Sequence, residues 1–395
     1  MREIIYNDHM KIVADENIPC VEKAFSTLGE VALLPGRGLR PADVRDADVL
    51  LVRSVTRVDH DLLEGSRVRF VGSATIGYDH VDREYLGRRG IGFATAPGSN
   101  ATSAAEYVVS ALLVLQERHA FDLASMTVGI VGCGNVGSRV RDRLTALGMS
   151  CLVNDPPLQR AGGQDGFVEL EAVLQADIVS LHVPLTRGGR YPTFHLADGS
   201  FLRRLKPGAI LLNTARGAVV DNLALAALLR KRDDLCVVLD VWEGEPAINT
   251  VLLEAAVLGT PHIAGYSLDG KFRGTEMIYR AACEYFGQTP QWCALDDLPA
   301  APLPAPAPAE GGGTMAGIRH AVLAAYDVRR DDRRLREILK LPADERPAWF
   351  DRLRRDYPVR REFAECGIDT AGMDRSSVAI LRELGFRASM KAACA

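Results

Sequence analysis

Thr127-Val128-Gly129-Ile130-Val131, then Gly132-Cys133-Gly134-Asn135-Val136-Gly137, then apolar residues at helical spacing from Val140 to Leu147, read as strand, glycine turn and helix. Glycines at 132, 134 and 137 permit a tight turn, close approach of backbone N–H groups to a pyrophosphate, and tight packing of helix on strand. Alone the G-x-G-x-x-G spacing is a weak signal, because glycine turns abound; a strand before it and a helix after it give it weight. Asn135 and Val136 sit where that helix would offer its first N–H groups.

The next apolar run ends in Val153-Asn154-Asp155, placing Asp155 at 155 − 137 = 18 positions past the last glycine. A carboxylate there can accept from a ribose 2′-hydroxyl and repels a 2′-phosphate, which favours NAD over NADP. The same Asp155 can equally be a turn residue ahead of Pro156 and Pro157.

Outward from this stretch the chain alternates short aliphatic runs with helical stretches. Before it come Lys11–Asp15, Val31–Leu34, Val49–Val52, Arg69–Gly72 and Ile91–Ala94; after it come Ser150–Val153, Ile178–Val183, Ala209–Asn213 and Cys236–Val241. That alternation predicts two doubly wound parallel sheets. Between them Ser103 and Glu106 read as an S-x-x-E capping box for a long helix with the stripe Val108, Leu112, Leu115. Residues 299–313 read PAAPLPAPAPAEGGG, an extended Pro/Ala linker ending in a glycine hinge, and 314–395 form a third module. The expected domains are 10–103 with 264–298, then 104–263, and then 314–395 after the linker.

The chain of 395 residues is 47% hydrophobic and 25% charged, which excludes collagen-like and wholly disordered classes. Its net charge of −4 gives no attraction to a polyanion, so nucleic acid is not an expected partner. The charge is uneven: residues 314–395 carry 17 Lys/Arg against 13 Asp/Glu, or +4, leaving −8 for the rest. The longest strongly apolar stretch, Tyr107–Leu115, is far too short to span a bilayer, and residues 1–10 contain no signal-like apolar region. A soluble, cytoplasmic protein without a membrane partner is expected. Eight scattered cysteines without a C-x-x-C pair read as reduced packing residues, with no metal site.

Three residues at later strand ends suit the chemistry a nicotinamide cofactor needs. Arg216, after the 209–212 run, can clasp a substrate carboxylate bidentately and polarise the neighbouring C2 oxygen. His262, in Thr260-Pro261-His262, can take a hydroxyl proton, although an isolated histidine is more often structural. Glu245, in Trp242-Glu243-Gly244-Glu245-Pro246, can fix the imidazole tautomer and stabilise the imidazolium; by itself it is a loop acid. Asp240 can accept from the nicotinamide amide or simply cap its strand.

Glycine loop, Arg, Glu and His in this order resemble the D-isomer-specific 2-hydroxyacid dehydrogenases. Segments 11–17 (KIVADEN), 52–56 (VRSVT), 217–222 (GAVVDN), 241–246 (VWEGEP), 260–269 (TPHIAGYSLD) and 326–332 (YDVRRDD) extend the likeness from Met10 to about Gly385. The resemblance implies two Rossmann/flavodoxin-like α/β domains and a C-terminal α+β module that makes a homodimer. It implies Arg216, Glu245 and His262 as catalytic residues. Asp155, Thr214, Ala215, Arg216, Asp240 and Gly265 would touch NAD, and Ser54, Thr75 and Tyr266 a small phosphorylated 2-hydroxy acid. Arg53 and Lys271 could add positive charge for the phosphate, as could Arg360 or Arg361 from a partner subunit; the last pair can instead be a solvated helix face. A substrate of the 3-phosphoglycerate or glyoxylate type, and a non-catalytic NAD-sensing scaffold, are the alternatives. Nine residues precede Met10, so either Met1 or Met10 can be the start, and residues 388–395 match no familiar pattern.

Overall fold

The computed structural model describes residues 10–162, 166–300, 314–370 and 373–389. The choice of start, most of the Pro/Ala linker and the last residues of the tail lie outside the described residues. The chain divides into two compact units, Met1–Asn100 with Ser267–Ala300 and Ala101–Tyr266 with Ala301–Ala395.

The first unit holds strands β1 (Met10–Asp15), β2 (Gly29–Leu34), β3 (Val49–Val52), β4 (Phe70–Ser73) and β5 (Gly92–Ala94). They pair in parallel in the order β2-β1-β3-β4-β5, the flavodoxin-like arrangement. Because side chains alternate across a strand, Ile12, Ala14, Val49 and Leu51 bury on one face and Val13, Leu50 and Val52 on the other. Both faces are apolar, which is why these runs are continuous rather than alternating. The helix Leu268–Phe286 closes the first face with Phe272, Ile278, Tyr279 and Phe286.

The second unit begins with the helix Ala101–His119 and builds a six-stranded sheet from β6 (Thr127–Val131), β7 (Ser150–Asn154), β8 (Ile178–Leu181), β9 (Ile210–Asn213), β10 (Cys236–Leu239) and β11 (Leu258–Gly259). The order is β11-β10-β9-β8-β6-β7, and a single parallel bridge from Val153 to Phe167 extends it beyond β7. The connection reverses direction between β6 and β8, the switch point beside which open α/β sheets bind ligands. Val128, Ile130 and Leu212 pack on one face, Val179, Leu211 and Val237 on the other. The two-residue β11 is too short to announce itself in the sequence.

Residues after 314 add helices Thr314–Ala325, Arg329–Arg336, Arg346–Arg355 and Arg375–Glu383 and a parallel pair, β12 (Gly367–Asp369) with β13 (Arg387–Ser389). Their apolar residues Ile318, Val322, Phe363 and Leu381 join the cluster of Val108, Leu112 and Val140.

The expected capping box is not formed. The helix starts at Ala101, and Ser103 and Glu106 are fully buried inside it. Glu106 Oε1 instead accepts from the Phe363 N–H at 2.8 Å, with Arg143 at 3.8 Å and Arg360 at 3.7 Å. Arg360 and Arg361 are buried as well, not on a solvated helix face. Arg360 donates to the Ala264 and Ser103 carbonyls at 3.0 and 2.7 Å and lies over the Tyr326 ring.

Burial pushes the Glu106 carboxyl up to about 8, against the pull of Arg360 and Arg143. A folded pKa raised above the ordinary 4.5 means the fold prefers the protonated acid. The associated stability is complete below the unfolded value and is lost as pH rises through about 8. Thermal melts should show wild-type Tm falling between pH 6 and pH 9, with a flatter profile for Glu106→Gln; parallel profiles would contradict the assignment.

Candidate active site

The glycine loop leaves β6 with Gly132 at φ +89°, a left-handed conformation suited to glycine. A Cβ at Gly137 would fall 1.9 Å from the Gly132 carbonyl oxygen, so only glycine lets the helix Asn135–Ala146 begin this close to the strand. Gly134 faces open space, and no side chain caps that helix. Its first N–H groups are therefore offered to an anion, a fit to the pyrophosphate of a dinucleotide. Asn135 and Val136 form the first turn, as the sequence places them.

Asp155 follows β7 directly. Its Oδ1 caps the Leu158 N–H at 3.0 Å and its Oδ2 accepts from the Cys133 N–H at 2.7 Å. The carboxylate thus serves its own turn and also ties the strand end to the glycine loop. His182, which carries no local signal in the sequence, stands across the switch point, where a Cβ on Gly132 would strike its carbonyl. Ser180 Oγ and Thr214 Oγ1 lie 2.8 and 3.3 Å from its ring nitrogens, and burial lowers its pKa to about 3, keeping it neutral.

Thr214, Ala215 and Arg216 continue from β9. Asn213 shapes the turn, its Oδ1 accepting from the Ala215 N–H at 3.1 Å and its Nδ2 donating to the Arg216 carbonyl at 3.0 Å. Gly217 passes so close to the next loop that a Cβ would sit 2.0 Å from the Trp242 carbonyl carbon and oxygen and 2.4 Å from Glu243 N. The Arg216 loop and the 242–246 turn are therefore in backbone contact.

A second set of residues stitches them, a role the sequence did not assign. Asn222 Oδ1 accepts from the Glu243 N–H at 3.0 Å, and its Nδ2 donates to the Val220 carbonyl at 2.9 Å. Glu243 Oε1 lies 2.8 Å from His195 Nε2, and the His195 N–H donates to the Ala218 carbonyl. His195, Asp221 and Glu243 form a group of potential metal-ligating side chains, of which His195 and Glu243 meet each other and Asp221 caps the helix Asn222–Leu229.

The turn presents Glu245. Its Oε1 accepts from the Trp242 N–H at 2.8 Å, and its Oε2 lies 2.7 Å from His262 Nδ1. Burial opposes ionisation of Glu245, but His262, Arg354 and the Trp242 N–H outweigh it, and the carboxyl lies below the usual range. An ionised carboxylate only accepts, so Nδ1 carries a proton, and in the neutral imidazole the lone pair is then on Nε2. Nε2 has no hydrogen-bond partner among the described residues.

His262 is held at φ +57°, uncommon for a residue with a Cβ. Asp240 over-determines that turn: its carbonyl accepts from the His262 N–H, and its buried carboxylate accepts from Ile263 N, Ala264 N and Thr260 Oγ1 at 2.7 to 2.9 Å. The strand-cap reading of Asp240 is thus observed, and burial raises its carboxyl pKa against those donors. Gly265 and Tyr266 complete the turn, the Tyr266 N–H donating to the Ile263 carbonyl at 2.7 Å.

In the first unit, Ser54 is exposed just beyond β3 and Thr75 just beyond β4, its Oγ1 2.8 Å from Ser73 Oγ. Arg53, expected to serve a phosphate, donates from Nε to the buried Asp15 at 2.9 Å.

Residues 99–264 match the family described as D-isomer specific 2-hydroxyacid dehydrogenase, NAD binding domain. Residues 298–385 match a domain of unknown function. The chain is 49% identical to an erythronate-4-phosphate dehydrogenase of Hahella chejuensis over 382 residues, covering 97% of this chain and 100% of that one. It is 48% identical to its Escherichia coli namesake over 386 residues, with 96% and 98% covered. Among solved structures, an NAD-bound formate dehydrogenase of Staphylococcus aureus aligns with TM-score 0.59 at 26% identity, covering 70% of this chain and 96% of that one. The NAD+-bound 3-phosphoglycerate dehydrogenase of Entamoeba histolytica aligns with TM-score 0.62 at 24% identity, covering 71% and 96%, a likeness of fold.

Proposed function

Since the chain belongs to the erythronate-4-phosphate dehydrogenases, within the D-isomer-specific 2-hydroxyacid dehydrogenases, we propose that Arg216, Glu245 and His262 carry its reaction. It is an NAD-dependent oxidoreductase that oxidises 4-phospho-D-erythronate to 3-hydroxy-2-oxo-4-phosphooxybutanoate in the biosynthesis of pyridoxine 5′-phosphate, vitamin B6. The observation that carries the residue assignment is the 2.7 Å His262–Glu245 contact, which leaves Nε2 as a base.

Bound NAD supplies the hydride acceptor at C2. His262 Nε2 removes the C2 hydroxyl proton as the C2–H bond breaks and its electron pair leaves with hydrogen, so the carbonyl forms with charge balanced. Glu245 stabilises the imidazolium so formed. Arg216 holds the substrate carboxylate and draws electron density from the C2 oxygen as the carbonyl develops. The glycine loop and the first turn at Gly134, Asn135 and Val136 hold the pyrophosphate, with Asp155 at the ribose. Thr214, Ala215, Asp240 and Gly265 are further NAD contacts in this reading, and Ser54, Thr75 and Tyr266 substrate contacts. Comparing kcat/KM for 4-phospho-D-erythronate, 3-phosphoglycerate and glycolate on the purified protein tests the substrate; a higher value for either rival acid overturns it.

Asp155 sets the cofactor preference. Asp155→Ala should weaken NAD binding roughly 10-fold, the worth of a hydrogen bond to a charged acceptor, and narrow the preference over NADP. Unchanged affinity for both cofactors in a fluorescence titration would remove Asp155 from the site.

Homodimerisation through residues 314–395 and a cytoplasmic location belong to the same reading. Among the described residues no helix is long and apolar enough to cross a membrane.

A further inference from the structure

The module after residue 314 reaches the catalytic pair through Arg354, which no sequence pattern singled out. Arg354 lies near the end of the helix Arg346–Arg355. Its guanidinium hydrogen-bonds to Tyr266 and stands 5.8 Å from that ring's centroid. It is also close enough to Glu245 to help hold that carboxyl ionised. Tyr266 also meets Tyr357 edge to face at 5.6 Å, so two residues of the module contact it.

Arg354 Nε is buried and has no hydrogen-bond partner among the described residues. A buried guanidinium with an unused donor is costly unless an acceptor arrives. Glu245 does not fill that donor: its oxygens accept from the Trp242 N–H and meet His262 Nδ1, while Arg354 Nε is without a partner among the described residues. Arginine presents its Nε–H and an Nη–H side by side, the fork that takes two oxygens of a phosphate. The substrate has two anionic ends, and Arg216 serves the carboxylate.

We propose that Arg354, with Tyr266, holds the substrate phosphate, which makes the C-terminal module the element that distinguishes phosphorylated from unphosphorylated acids. This rests on the substrate reading above. It also gives a role to a segment whose family match names none.

Two measurements on the full chain with NAD bound test it. In the first, Arg354→Gln should lower the ratio of kcat/KM for 4-phospho-D-erythronate over D-erythronate roughly 10- to 100-fold, the worth of a charge-assisted hydrogen bond, with part of the loss restored in Arg354→Lys. Equal losses on both acids would show Arg354 acting only through Glu245 and Tyr266, and would overturn the proposal, as would an unchanged ratio. In the second, inorganic phosphate binding by calorimetry should weaken by a similar factor in Arg354→Gln, and unchanged binding overturns the proposal. The calorimetry needs no turnover, so it decides on Arg354 even if wild type fails to oxidise 4-phospho-D-erythronate, a failure that would fall on the substrate reading.

Discussion

His262→Ala is expected to lower kcat by roughly 10²- to 10⁴-fold, the range for loss of a positioned general base, while NAD affinity stays near wild type. The argument is local. Glu245 fixes the proton on Nδ1 at 2.7 Å, so Nε2 is the basic atom, and the turn that aims it is held by three donors to the Asp240 carboxylate. Glu245→Gln should cost less, since an amide oxygen can still accept from Nδ1–H but does not stabilise the imidazolium. Stopped-flow turnover and a cofactor titration on the same preparations check both statements. Near-normal turnover in His262→Ala would remove it from catalysis, and a parallel loss of NAD affinity would point to a role in folding the turn.

Gly217→Ala is expected to damage the site as badly although it removes no functional group. The added Cβ would meet the Trp242 carbonyl and Glu243 N within 2.4 Å, and these are backbone atoms that cannot rotate away. Either the Arg216 loop or the Glu245 turn must move, and displacements near 1 Å in a positioned site cost about 10²-fold in rate. Overpacking also destabilises, typically by about 1–3 kcal/mol. Gly87→Ala is the matched control: it sits in the helix Arg83–Arg89 with open space at its Cβ, and should leave activity unchanged while stabilising slightly. Kinetics and thermal melts of the two variants check this; full activity in Gly217→Ala would mean the loops are not in the close contact described.

The sequence made the sheets legible because strands buried on both faces are continuous aliphatic runs, and the glycine loop legible because its spacing answers a steric demand that Gly132 and Gly137 visibly meet. Arg216, Glu245 and His262 could be singled out because parallel sheets deliver functional side chains at strand ends. Glu245 and His262 are in contact, and the Arg216 loop touches the Glu245 turn. What stayed hidden depends on partners far along the chain. Ser103 and Glu106 look like a helix cap locally, yet Glu106 is bonded to Phe363, 257 positions away. Arg360 looked like a free cation and is a buried one, because its acceptors are the Ser103 and Ala264 carbonyls. Asn222, Glu243 and His195 carry no local signature, since their work is to join two loops that only the fold brings together. Asp155 and Asp240 were ambiguous in sequence and proved to be caps in structure, so each can position backbone whether or not it also meets the cofactor.

The most direct test follows NADH formation by the purified full-length chain given NAD and 4-phospho-D-erythronate, with the 2-oxo acid product quantified in parallel. Equimolar NADH and 2-oxo acid are expected, in a reaction that His262→Ala all but abolishes. No NADH, or NADH formed at the same rate by His262→Ala, would contradict the account.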